Sequence, residues 1–289
     1  MTEQMEKLAL PEARKKVLLA AGALLVLMAV ALGLFLLRGG PEPPEEVLPV
    51  EEPEPQDWLV SRAQIEQLTY SDSKLGEVRW DLSDDALAEL NRVLTEYDIT
   101  SAEDISQFLA QAAVESLGGT ALTEWGDEDY FRGRGYSAGT RGAGYLHLTF
   151  AYGQMAFAVW LMKKYVPALS EIEYANPADH GRDEISASYY AALQTAANLG
   201  LDVSRYTRVV YDRNMPESGP VTGADYIAGA FAWESAAYFW HISGISQAFL
   251  NFPCSLNTDI ASEIVGGSNW QSRREAYAAF RSVLTGAAE

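Results

Sequence analysis

From Val17 to Leu37 the chain runs for 21 residues without a single charged or polar side chain. As a helix at about 1.5 Å per residue this run spans about 30 Å, the thickness of a bilayer's hydrocarbon core. A cleaved leader typically has an apolar region of only about 7–15 residues, closed by a small-x-small site. Here the run is longer and is followed by Arg38-Gly39-Gly40-Pro41, so an uncleaved single-pass helix is expected. Arg14, Lys15 and Lys16 precede it and only Arg38 follows it. By the positive-inside tendency, residues 1–16 form a cytoplasmic tail, and everything after the helix lies outside the cell membrane.

The next segment cannot fold on its own. Pro41 to Gln56 holds six prolines and six glutamates in 16 residues. Such a stretch has no core to bury and repels itself, so it reads as an extended spacer of about 50 Å at most, within a linker over residues 38–57. Residues 58–289 then form one folded domain.

Charge narrows the partners. The formal net charge is −19, and the stretch up to Arg38 carries +2, which leaves −21 for the rest. A body this acidic repels phosphates, and no basic stripe offsets that, so nucleic acid is excluded as a partner. Adsorption by charge onto an anionic polymer is disfavoured for the same reason. Cys254 is the sole cysteine, so no internal disulfide forms, and His147, His180 and His241 lack metal-ligand spacing. Neither a metal nor a cofactor is expected.

The domain reads as amphipathic helices over Leu82–Tyr97, Phe150–Lys164, Ile185–Asn198, Ala224–His241 and Ser272–Thr285, with short strands near Tyr145–Thr149 and Arg208–Tyr211. Another helix opens on Thr100 and Glu103, spaced as a capping box, and ends at Gly118-Gly119. Its apolar face carries Ile105, Phe108, Leu109, Ala112 and Ser116. Glu115 lies one heptad after Phe108, at the rim of that face, where partial burial predicts a raised carboxyl pKa. A second carboxylate, Glu124, follows nine residues later, beyond the glycines. Two carboxylates flanking a cleft are the usual apparatus for cleaving a glycosidic bond. A surface glutamate and a structural ion pair are the plainer readings of each.

The flanking residues resemble glycoside hydrolase family 19, the chitinase and endolysin family. Phe108-Leu109-Ala110-Gln111 followed by Glu115-Ser116 is similar to the family's catalytic helix. Thr123-Glu124-Trp125-Gly126 stands where the bacterial branch has its second glutamate. Gly142-Ala143-Gly144-Tyr145-Leu146-His147-Leu148-Thr149, with Tyr152 after it, is similar to the family's Gly-Arg-Gly-x-Ile-Gln-Leu-Thr motif. Gly133-Arg134-Gly135-Tyr136 repeats the opening of that motif without its tail and is read as a chance match. Ala236-Ala237-Tyr238-Phe239-Trp240, Ile264-Val265-Gly266-Gly267 and Arg273 complete a resemblance spanning about Trp58 to Leu284, looser between Val166 and Gly223. The sequence departs from the pattern at Val114, Ala143, His147, Gly153 and Val265.

The resemblance implies a mainly α, lysozyme-like α+β domain of two lobes and an inverting mechanism. Glu115 would be the acid and Glu124 the base. Thr149 would help hold the water, with Tyr152, Trp125 and His147 lining sugar subsites and Arg273 supporting the acid. The implied partner is chitin, a chitooligosaccharide or peptidoglycan glycan. Trp233, Phe239 and Trp240 are assigned to core packing. A wall- or oligosaccharide-binding module without catalysis is the alternative.

Overall fold

Ser101 opens the helix on which the rest of the domain is assembled. Its hydroxyl accepts from the Asp104 backbone N–H at 3.1 Å, starting α3 (Ala102–Ser116). The N-cap is therefore Ser101 rather than the expected Thr100. Glu103 makes no cap because it is used elsewhere, accepting from the Tyr277 hydroxyl at 2.6 Å, Asn257 Nδ2 at 3.1 Å and Arg281 Nε at 3.0 Å. The far end closes where Leu117 turns left-handed at φ 50° and the Gly118 N–H returns to the Ala113 carbonyl at 2.8 Å.

The computed structural model describes residues 60–286 apart from 73–74, 217, 250–253 and 267. The chain divides into two units, Met1–Gln56 and Asp57–Glu289, and every described residue belongs to the second. The expected cytoplasmic tail, membrane-spanning helix and spacer lie outside the described residues. Among the described residues, no helix is long and apolar enough to cross a membrane.

The domain is mainly helical. Before α3 come α1 (Arg62–Ile65), a hairpin of β1 (Thr69–Asp72) and β2 (Gly76–Arg79), and α2 (Asp84–Glu96). After it come α4 (Glu128–Gly133), α5 (Ala151–Tyr165), α6 (Arg182–Asn198), α7 (Ser204–Thr207), α8 (Ala224–Ala230), α9 (Ala232–Ile242), α10 (Ile245–Phe249), α11 (Cys254–Val265) and α12 (Trp270–Thr285). α3 packs against both α11 and α12, and α12 also packs on β1. Sequence periodicity gives α3 one apolar stripe, but the helix is buried almost all round. Ala110, Ala112 and Ala113 are fully covered, and their small side chains let neighbouring helices approach closely. Phe108 meets Trp233 at 5.8 Å and Trp240 edge-on at 5.3 Å, while Trp233 stacks on Tyr145 at 3.5 Å. Each such aromatic, fully buried, contributes about 1.5–3 kcal/mol by removal from water. Trp233 and Trp240 are core residues, as expected, and Phe239 packs against the core while partly exposed.

Three expectations are corrected. The only sheet among the described residues is the β1–β2 hairpin, in register Thr69↔Arg79 and Tyr70↔Val78. Tyr145–Thr149 is a tight turn closed by a single bridge, Ala143↔Leu148. Arg208–Tyr211 forms no strand, because its backbone bonds elsewhere: the Tyr211 N–H donates to Gln154 Oε1 at 2.9 Å, and the Arg208 carbonyl accepts from Gly223 N at 2.8 Å. The expected Ala224–His241 helix breaks at Phe231, where φ is −145°. That residue is buried edge-on against Phe157, a tertiary demand invisible to helical periodicity.

Gly118 fastens the end of α3 to the hairpin. Its carbonyl accepts from Asp81 N at 2.8 Å, its φ is +66°, and a Cβ would lie 2.2 Å from the Arg79 carbonyl oxygen. Gly118→Ala is expected to destabilise the fold by more than about 1 kcal/mol, read as a lowered denaturant midpoint.

Candidate active site

Gln111 and Glu115 lie one helical turn apart on α3 and so project from one face. Arg273, on α12, reaches both. Its Nη1 donates to Gln111 Oε1, its Nη2 to Glu115 Oε1, and its Nε to the Ser268 carbonyl at 3.0 Å. The guanidinium side chain is only 2% exposed. The Gln111 amide is anchored in turn, donating to Ser262 Oγ at 3.2 Å. The Glu115 side chain is 18% exposed, at the rim of the core as its heptad position implies.

The other oxygen of Glu115 faces His147, whose Nδ1 is 3.3 Å from Oε2. The expected raised pKa is reversed. Burial does push the Glu115 carboxyl up, but the His147 hydrogen bond and the charges of Arg273 and His147 outweigh it and bring it to about 2. Partial burial was legible from helix position. The two partners, Arg273 and His147, come from distant segments and were not.

Glu124 reaches the site from the loop after α3. Its N–H donates to the Gly142 carbonyl at 2.9 Å, and Gly144 N donates to the Leu122 carbonyl at 2.9 Å, which registers the loop against residues 142–144. The Glu124 carboxylate accepts from the Tyr136 hydroxyl at 2.8 and 2.7 Å, the Tyr130 hydroxyl at 3.0 Å and Gly142 N at 3.3 Å. Burial and the neighbouring carboxylate hold the Tyr136 hydroxyl well above its ordinary pKa, so it stays a donor. Gly142 is required here by space, because a Cβ would come within 2.8 Å of the His147 Cβ and 3.4 Å of Glu124 Oε2.

Glu115 and Glu124 line one open cleft of about 460 Å³, together with His147 and Thr149. The Thr149 hydroxyl donates to the His147 carbonyl at 2.6 Å. Tyr152 is not part of this cleft. It stacks on Phe150 and lines an adjoining pocket of about 350 Å³ that shares His147 and Thr149 as a wall. Trp125 is 69% exposed and does not line the carboxylate cleft.

The stretch read as a chance match supplies cleft residues. Tyr130, Arg134 and Tyr136 all line it, and the Arg134 guanidinium sits 4.7 Å from the Tyr130 ring centre. Asp127 caps α4 through Tyr130 N at 2.8 Å and so directs this short helix over Glu124. The available signal was that cap, followed by two tyrosines and two arginines within ten residues, close after an acidic candidate. Among the described residues, no group of three or more His, Cys, Asp or Glu side chains converges as a metal site.

The arrangement offers one carboxylate tied to a guanidinium and facing an imidazole, and a second held only by hydroxyl and amide donors, both lining the same open cleft. Comparison with family models, with curated proteins and with solved structures gives no match.

Proposed function

We propose that this chain is a glycoside hydrolase that cleaves β-1,4 bonds in N-acetylglucosamine-containing polymers, chitin or peptidoglycan, by inversion. The reading includes a lysozyme-like, two-lobed body held outside a membrane by the run Val17–Leu37. The observation that carries it is the pair of carboxylates, Glu115 from a helix end and Glu124 from a loop, lining one open cleft. Glu115 is the acid that protonates the leaving oxygen. Glu124 is the base that takes a proton from the attacking water, and its partners are all donors, which leaves it an acceptor. Inverting enzymes separate the two carboxyls by about 6.5–9.5 Å to leave room for that water. The loop placement of Glu124, away from α3, suits such a gap. Thr149 sits on the same wall to help orient the water.

A second reading has one observation in its favour. A carboxyl held at about pKa 2 does not by itself carry the proton an acid needs near neutral pH. On this reading the cleft binds oligosaccharide without cleaving it. One experiment separates the two. The full chain in detergent is incubated with chitooligosaccharides and, separately, with peptidoglycan fragments, and products are followed by mass spectrometry and NMR. The expected early product is the α-anomer from a β-linked substrate. A β-anomer means retention and sinks the mechanism, while binding without products establishes the second reading.

A further inference from the structure

Both ring nitrogens of His147 have oxygen neighbours. Its Nε2 lies 3.2 Å from the Ala121 carbonyl oxygen. A carbonyl only accepts, so Nε2 carries a hydrogen. Its Nδ1 faces Glu115 Oε2 at 3.3 Å. A proton placed between Nδ1 and Oε2 turns this approach into a hydrogen bond, because the carboxylate oxygen accepts and Nδ1 then donates.

The backbone is shaped to hold this contact. His147 is left-handed at φ 51°, a costly conformation for a residue with a Cβ. The turn around it is closed by Leu148 N to the Ala143 carbonyl at 2.8 Å and by the Thr149 hydroxyl on the His147 carbonyl. Gly142 leaves room for its Cβ. Strain maintained by this many contacts is a mark of a functional position.

We infer that His147 and Glu115 hold one proton between them and together form the acid of the site, with His147 as the positioning residue that stores the proton. The role as acid rests on the glycosidase reading. The shared proton lies between Nδ1 and a carboxylate that Arg273 also holds. When substrate displaces water, the proton moves from Nδ1 to Glu115 and leaves a neutral imidazole protonated at Nε2. The carboxyl then gives it to the glycosidic oxygen as the C–O bond breaks and its electron pair stays on that oxygen. Water adds to the sugar carbon and its proton passes to Glu124. One solvent proton afterwards reloads the pair. The charged and titratable groups around His147 are Glu115 and Arg273 on the helix side, and Glu124, Tyr136, Tyr130 and Arg134 across the cleft.

The test uses the full chain in detergent with ¹⁵N-labelled histidine. The expected result near neutral pH is a hydrogen on Nε2 of His147 together with a protonated or strongly hydrogen-bonded Nδ1. In Glu115→Gln the Nδ1 proton is lost. His147→Gln, which can still donate to Glu115 but stores no acid proton, should lower kcat about tenfold to a hundredfold with KM changed less than about twofold. It should also move the high-pH limb of the rate profile down by about one pH unit or more. An Nδ1 that is bare, free and unaffected by Glu115→Gln overturns the shared proton. An unmoved pH limb in His147→Gln overturns its role in the acid. If that variant fails to fold, the signals of the unmodified chain decide the matter. Coupled signals without turnover of any glycan support the shared proton and overturn the glycosidase reading instead.

Discussion

Glu115→Gln is expected to reduce kcat on a cleavable oligosaccharide by at least about 10²–10⁴-fold, because an amide cannot donate a proton to the leaving oxygen. Glu124→Gln is expected to fall as far, since no base then receives the proton of the attacking water. Stability separates the two variants. Glu115 is tied to the buried Arg273, and its pKa of about 2 lies about two units below an ordinary glutamate. A folded-state pKa lowered in this way stabilises the protein above about pH 4.3 and is lost as pH falls toward about 2. Glutamine keeps an acceptor for Arg273 but not the charge, so Glu115→Gln should cost about 2–3 kcal/mol near neutral pH. Tyr130 and Tyr136 both donate to Glu124 Oε1, where a glutamine carbonyl can still accept from them, and the amide then faces the longer Gly142 N contact. The thermal midpoint of Glu124→Gln should therefore move little. Calorimetry beside kinetics checks both, and full activity in either variant would remove that carboxylate from the mechanism.

The largest stability effect is expected away from the cleft, at Glu234 on α9. Its side chain is 0% exposed, yet it accepts from Lys164 Nζ at 2.8 Å, from the Tyr97 and Tyr165 hydroxyls at 2.5 and 2.9 Å, and from Arg92. Burial pushes its carboxyl pKa up, but the hydrogen bonds from Arg92, Lys164 and Tyr97 outweigh this and lower it. Glu234→Leu removes the acceptor and leaves its donors aimed at an apolar group. Breaking a buried ion pair from one side costs about 3–5 kcal/mol, which for a domain of this size lowers Tm by about 10 °C. The lowered pKa fixes the pH dependence. The stabilisation is present above the unfolded value of about 4.3 and is lost as pH falls through the folded value. Acid titration of stability should thus be shallower in Glu234→Gln than in the unmodified chain. Equal slopes would show that this carboxylate does not couple folding to pH.

The elements legible in the sequence are those set by local pattern. The placement of Glu115 at the rim of α3 followed from the spacing of Phe108 and Leu109, and the aromatic core followed from Trp233 and Trp240. What was not legible depends on segments far apart in the chain. The capping box expected on Thr100 does not form because Glu103 is engaged by Tyr277 and Arg281. The break at Phe231 answers to Phe157, and each strand of the β1–β2 hairpin is only four residues long, too short to show an alternating pattern. The direction of the Glu115 pKa turned on Arg273 and His147, neither of which is near it in sequence. Tyr136 was dismissed with its motif because only the folded chain brings it over Glu124.

The pairing of Glu115 with Arg273 joins residues 158 positions apart. Protein synthesis proceeds from the N-terminus, so α3 leaves the ribosome long before α12 exists. Until Arg273 emerges, Glu115 and Gln111 have no guanidinium to order them. The bond that organises the site is therefore among the last long-range contacts available to the nascent chain. The polypeptide crosses from synthesis to folding with the Glu115 carboxylate unassembled, and this cleft wall is completed only once the final described helix has docked.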